Sequence, residues 1–172
     1  DMTVGEFDNL EIIWNDVLKL DVPALVQEKF PGLRPMACAN LPYYITTPIL
    51  MALLESNLPF EYITIMIQAE VADRLCAEAG SNEYGSITAA VNLCGTARKL
   101  FTVPAGCFYP APKVTSAVCQ ITLHKNGVRG AFDSLPEDDE ELDKLIGLAK
   151  RLIAAAFAQR RKTLTNALSS VC

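Results

Sequence analysis

Residues 35–54 read PMACANLPYYITTPILMALL, and this stretch decides the fold. Pro35 to Ala39 is a short apolar run that stops at the polar Asn40, the pattern of a buried strand and its end. After Leu41-Pro42 a helix is predicted: Thr47 is placed to cap it, Pro48 suits the first helical position, and Ile49, Leu50, Leu53 and Leu54 share an apolar face. Upstream, Leu10 to Trp14 (LEIIW) is another β-prone run, ending at Asn15-Asp16, with a helix candidate around Pro23 to Phe30 between the two. Strand, crossover helix and strand predict a parallel βαβ unit.

Downstream the alternation of elements continues. Tyr62 to Ile67 (YITIMI) reads as a strand, about Gln68 to Ala77 as a helix, 79–86 as a turn-rich loop, 87–94 as a helix and 97–103 as a strand. Pro104, Pro110 and Pro112 exclude regular structure from 104–113, and the alternating Ala117 to Leu123 is a further strand. Residues 125–136, with Gly127, Gly130 and Pro136, look like a linker. Beyond it Leu142, Leu145, Ile146, Ala149, Leu152, Ile153, Ala156 and Phe157 keep helical spacing over four turns. The expected organisation is an α/β body over 1–124, a linker over 125–136 and the start of a helical domain over 137–172.

At 172 residues and 51% apolar, the chain can bury one sizeable core and a small satellite. No apolar run reaches the roughly 18 residues of a membrane span, and Asp1 to Asp8 lack the features of a signal peptide, so a cytoplasmic address without membrane contact is expected. Cys38, Cys76, Cys94, Cys107, Cys119 and Cys172 are irregularly spaced and accompanied by a single histidine, His124, which argues for free structural thiols and no metal site. Cys38, just before Asn40, lies in an apolar setting that favours packing. The net charge of −5 is concentrated: Glu137, Asp138, Asp139, Glu140, Glu141 and Asp143 open the last helix, where its dipole favours acid, and leave the rest slightly basic. Residues 144–172 contain no acid and carry Lys150, Arg151, Arg160, Arg161 and Lys162. A basic cluster alone is weak evidence for nucleic acid.

The chemistry is expected at Asn40-Leu41-Pro42-Tyr43, because ligands of open α/β sheets bind at the carboxyl ends of strands. An Asn side-chain oxygen and a backbone carbonyl at a proline form a pair of acceptors. Such a pair suits the exocyclic N6 amine of adenine, whose lone pair is delocalised into the ring: one acceptor for each N–H favours a pyramidal nitrogen with its lone pair directed at a methyl sulfonium. Tyr43 would stack on the flipped base. No strong general base is needed, so catalysis is mainly orientation. Read alone, the tetrapeptide serves equally well as a strand-ending turn.

Five segments in order resolve that choice. Residues 40–49 (NLPYYITTPI), 68–75 (QAEVADRL), 84–88 (YGSIT), 108–118 (FYPAPKVTSAV) and 157–168 (FAQRRKTLTNAL) resemble the KsgA family of ribosomal RNA adenine dimethyltransferases over nearly the whole chain. The resemblance implies a Rossmann-like class I methyltransferase sheet of order 3-2-1-4-5-7-6, of which the retained strands form 4-5-7-6, followed by a truncated helical domain. It implies S-adenosylmethionine as methyl donor, with no metal, and adenines near the 3′ end of small-subunit rRNA in the 30S subunit as substrate. Asn40 and the Leu41-Pro42 backbone would hold the amine, with Tyr43 on one face of the base and Phe108 on the other. Asp16 would accept from the donor's adenine amine and Val17 would offer its N–H to the same ring, with Asn40 shared by both substrates; standing alone, Asp16 reads as a cap or turn residue. Arg160, Arg161 and Lys162 would meet rRNA phosphates or, equally, pair with the catalytic body.

Two departures qualify the resemblance. Ala69 stands where the family commonly has a basic residue, and no G-x-G spacing supplies the glycine-rich turn on which donor binding rests. The sequence therefore reads as an internal fragment, inactive alone, with a bared strand edge at Leu10 to Trp14 through which copies would self-associate. The alternatives are a large-subunit rRNA methyltransferase of the macrolide-resistance type, which the QRRKTL segment disfavours, and a non-catalytic rRNA-binding or ribosome-assembly module.

Overall fold

The computed structural model describes residues 9–125, 128, 134–158 and 163–169. Its centre is a four-stranded sheet in the order β1-β2-β4-β3, built from β1 (Ala37–Asn40), β2 (Ile63–Gln68), β3 (Gly95–Val103) and β4 (Ser116–Leu123). β1 and β2 are parallel, joined by helix α2 (Thr46–Glu55), while β4 runs antiparallel to both of its neighbours. This is the 4-5-7-6 order that the family resemblance implied. Gly95 opens β3 at a point where a Cβ would lie 2.3 Å from the Thr122 carbonyl oxygen, so the close approach of β3 to β4 requires glycine.

Period-two burial explains why β2 and β4 are central. Ile63, Ile65 and Ile67 of β2 and Ala117, Cys119 and Ile121 of β4 are completely buried on one face. Over them pack Ile49, Leu50 and Leu54 of α2, Ala72 and Leu75 of α3 (Ala69–Leu75), and Val91 of α4 (Ser86–Cys94). On the other face, Cys38 and Asn40 of β1 are exposed, and Arg98 of β3 bonds Gln120 of β4 at the surface. Helix α5 (Asp139–Ala158) packs on α4, with Leu142 buried, Tyr84 and Phe157 rings 6.2 Å apart, and Lys150 paired with Glu55 at 2.8 Å. Its acidic start behaves as an ordinary helix entrance: Asp138 accepts from the Glu141 N–H at 2.9 Å. The short α6 (Leu164–Leu168) packs back on α5.

Four expectations are corrected. Leu10 to Trp14 is not a strand: it pairs with nothing in the sheet, Ile12 is 56% and Trp14 99% exposed, and the outer strand is β1. A strand needs a partner for its backbone groups, and β-propensity cannot replace one; the strand-edge association proposed for that segment therefore has no basis. The helix around Pro23 does form, as α1 (Val22–Lys29), but the parallel βαβ unit is β1-α2-β2. Cys38 is exposed, because alternation along an uncovered edge strand turns it away from the core. Finally, Thr47 does not cap α2. A 3-10 turn over Tyr43–Ile45 runs directly into the helix, whose N-cap is Ile45, and the buried Thr46 hydroxyl donates to the Pro42 carbonyl.

Candidate active site

The register puts four strand ends together: Asn40, the last residue of β1, pairs with Met66, two residues before β2 ends at Gln68, and Ser116, the first residue of β4, faces both Gln68 and Val103, the last of β3. The loop from Pro104 to Thr115 leaves and re-enters the sheet at that same end. It therefore arches beside Asn40. Asn40, Leu41, Pro42 and Tyr43 line one side of an open cleft of about 370 Å³, and Phe108, Tyr109, Pro110 and Pro112 line the other.

Both sides are held by bonds to the core. The Leu41 N–H donates to the Met66 carbonyl at 3.2 Å, extending the β1-β2 ladder one residue beyond the strand. Tyr43 Oη and the buried Ser116 Oγ lie 2.5 Å apart, which fixes the ring against the start of β4. The Pro42 carbonyl accepts twice, from the Ile45 N–H at 3.2 Å and from Thr46 Oγ1 at 3.1 Å. Across the cleft, the Phe108 N–H donates to the Ala105 carbonyl and closes a 3-10 turn over Ala105–Cys107. The Tyr109-Pro110 peptide is cis. Among the described residues, the lining contains amide, aromatic and proline groups and no carboxylate, histidine or lysine.

The structure thus brings together Asn40, Leu41, Pro42, Tyr43 and Phe108. Asp16 and Val17 do not line this cleft. Asp16 caps a 3-10 turn over Val17–Lys19, its Oδ1 accepting from the Leu18 N–H at 3.0 Å, and the turn packs against α2. Arg160, Arg161 and Lys162 lie outside the described residues. Tyr109, Pro110 and Pro112 joined the lining without having been singled out, although the F-x-P-x-P pattern contained them; the Tyr43–Ser116 bond had no local signal at all.

A family model described as ribosomal RNA adenine dimethylase matches residues 3–172. This chain belongs to the ribosomal RNA adenine dimethylase family. Among its relatives are proteins named ribosomal RNA small subunit methyltransferase A: that of Alkaliphilus oremlandii (strain OhILAs) is 44% identical over 98% of this chain and 54% of its own length, and that of Bacillus licheniformis is 43% identical over 96% and 53%. The chain spans about half the length of these relatives. Among solved structures, a dimethyladenosine transferase from Plasmodium falciparum superposes with a TM-score of 0.70 at 25% identity, covering 95% of this chain and 51% of that one. The 23S rRNA methyltransferase ErmE superposes at 0.54 with 18% identity, covering 86% and 62%, which is a likeness of fold alone. The fold is therefore the class I methyltransferase α/β fold of this family.

Members of a methyltransferase family imply S-adenosylmethionine as methyl donor, and the described residues fit it only in part. The cleft offers a seat for a flat base. For the donor there is Asp16, half-exposed and bonded to its own turn outside the cleft lining, and no glycine-rich turn of G-x-G form anywhere in the sequence. The described residues alone do not make a complete seat for the donor. Among them, no three His, Cys, Asp or Glu side chains cluster as metal ligands, and no helix is long and apolar enough to cross a membrane.

Proposed function

We propose that this chain supplies the amine-holding side of an S-adenosylmethionine-dependent enzyme that dimethylates N6 of adenines near the 3′ end of small-subunit rRNA, acting on the 30S subunit in the cytoplasm. The observation that carries this reading is the cleft in which Asn40 to Tyr43 stand opposite Phe108. A flipped adenine seated there would give its two N6–H groups to the Asn40 side-chain oxygen and to a backbone carbonyl. Because the Pro42 carbonyl is engaged twice, that backbone acceptor is the Leu41 carbonyl. Tyr43, anchored by Ser116, and Phe108, on its proline-stiffened loop, would flank the base. The donor supplies an electrophilic methyl group on sulfur; the residues of the cleft aim the nitrogen and hold no proton for it, so their contribution is orientation.

Within this reading residues 1–124 form the catalytic body and 137–172 the beginning of a helical domain beyond the linker 125–136. Asp16 and Val17 contact the donor only in a longer chain, and Arg160, Arg161 and Lys162 meet rRNA phosphates. The isolated chain transfers no methyl group and, in its own right, acts at most as an rRNA-binding module. The test uses a chain completed to the length of its relatives and 30S subunits lacking the modification. Asn40→Ala is expected to lower methyl transfer by on the order of 100-fold, the scale of a misplaced reacting atom, while RNA retention is unchanged. A variant that still methylates adenine at near the parent rate removes Asn40 from the amine-holding role.

A further inference from the structure

Away from the cleft, four reactive side chains meet beneath α3. Cys76 forms the carboxyl cap of α3, and Asp73 stands one turn before it on the same helix face. On the sheet below, the buried Cys119 of β4 is the cross-strand partner of Lys99 of β3, so both side chains rise from the same face. Lys99 Nζ is ion-paired with Asp73 Oδ1. That pair fixes the helix over the strands: with Asp73 above Lys99, the next turn sets Cys76 above Cys119. Cys76 packs against the buried cluster that contains Cys119, so the two thiols share one pocket between α3 and β4.

We propose that Cys76 and Cys119 are a modification site, a thiol pair that a hydroperoxide converts into an intramolecular disulfide. Cys76 is the attacking sulfur, since it is only half-buried and its thiol is held below the ordinary range, chiefly by the neighbouring Cys119 thiol and also by the charge of Lys99. Cys119 is the resolving sulfur; the neighbouring Cys76 and its own burial hold its proton in place. In the first step the Cys76 thiolate attacks one peroxide oxygen and the O–O bond breaks. The other oxygen departs and takes up a proton as alcohol or water, leaving a sulfenic acid on Cys76. In the second step the Cys119 sulfur attacks the Cys76 sulfur, the S–O bond breaks, and the hydroxide leaves with the Cys119 proton as water. Two thiols lose two electrons, and the hydroperoxide gains them.

The protein is exposed to one equivalent of hydrogen peroxide, its remaining thiols are alkylated, and the tryptic peptides are analysed by mass spectrometry. A peptide pair joined through Cys76 and Cys119, lighter by two hydrogens than its parts and separated by dithiothreitol, is the expected product. Fragment ions distinguish Cys76 from Cys94 on the same tryptic peptide. Cys76→Ser abolishes the link, and Cys38→Ser leaves it intact. Two outcomes overturn the proposal: Cys76 oxidised to sulfinic acid while Cys119 stays a thiol, or disulfides formed only through the exposed Cys38 and Cys107.

Discussion

Asn40 and Asp16 each end an apolar run, and each was expected to serve one active site, yet the molecule treats them differently. The segment after Asn40 is tied into the core by long-range bonds: Leu41 to Met66 across the sheet, and Tyr43 to Ser116, 73 residues away. The segment around Asp16 is held by its own neighbours: the Asp16 N–H bonds Asn15, Asp16 Oδ1 accepts from Leu18, and the Asp16 carbonyl accepts from Lys19. Beyond them, the Glu11–Lys29 pair at 3.1 Å ties the run before Asp16 to α1, and exposed pairs of that kind contribute little. The cleft proposed to hold the amine is therefore preorganised by this chain's own core, whereas the turn proposed to meet the donor has local bonds and only its packing on α2 to hold it.

The difference is broken most forcefully in the core. Ile65, completely buried in the centre of the sheet beneath α2, α3 and α4, supports the strand ends that form the cleft. Ile65→Ala is expected to cost about 2–5 kcal/mol, the sum of lost transfer energy and a cavity. Trp14→Ala, at a far larger side chain standing in solvent, should leave the urea midpoint where it was. A large loss from Trp14→Ala would mean that the amino-proximal segment packs in solution, and the contrast between the two regions would fall.

A finer probe is the anchor of the cleft itself. Tyr43→Phe keeps the ring but strands the buried Ser116 hydroxyl, at a cost of about 1–2 kcal/mol in urea unfolding. Adding Ser116→Ala should recover part of that loss, as the orphaned group is removed. Thr46→Val is isosteric and breaks only the bond to a Pro42 carbonyl that keeps its other donor, so about 0.5–1 kcal/mol is expected. Full additivity of the Tyr43 and Ser116 losses would show that the 2.5 Å contact is not a coupled pair.

What could be read in advance follows from the range of the forces involved. Alternating β-branched residues in YITIMI and the apolar spacing after Asp139 are local patterns, and both produced the elements they predict, β2 and α5. LEIIW carries the same local signal, but a strand is completed by its neighbour, and no local pattern says whether one is present. Cys38 was misplaced for the same reason: its alternation was legible, but whether the outer face of β1 is covered is a tertiary fact. The start of α2 moved by two residues because the turn over Tyr43–Ile45 feeds it, a chain geometry that cap preferences at Thr47 do not contain. In the cleft, the residues within each motif were legible, whereas the meeting of residues 40–43 with 108–112 depends on the antiparallel return of β4.

The smallest expected effect decides most about the donor side. Asp16 is half-exposed and caps a single 3-10 turn, so Asp16→Ala should lower the stability of the present chain by only about 0.5 kcal/mol, the weak end of a cap substitution. Its consequence for the donor should depend on chain length. Titration calorimetry of this chain with S-adenosylmethionine should give no measurable heat of binding, with or without Asp16, since the carboxylate stands outside the cleft lining and bonds its own turn. In a chain extended at the amino end, the same substitution should weaken donor binding by about tenfold, the worth of one hydrogen bond to a charged group. Micromolar binding by the short chain that is lost on Asp16→Ala would show that the local turn is already a working half-site. Micromolar binding that survives the substitution would place the donor grip on residues other than Asp16.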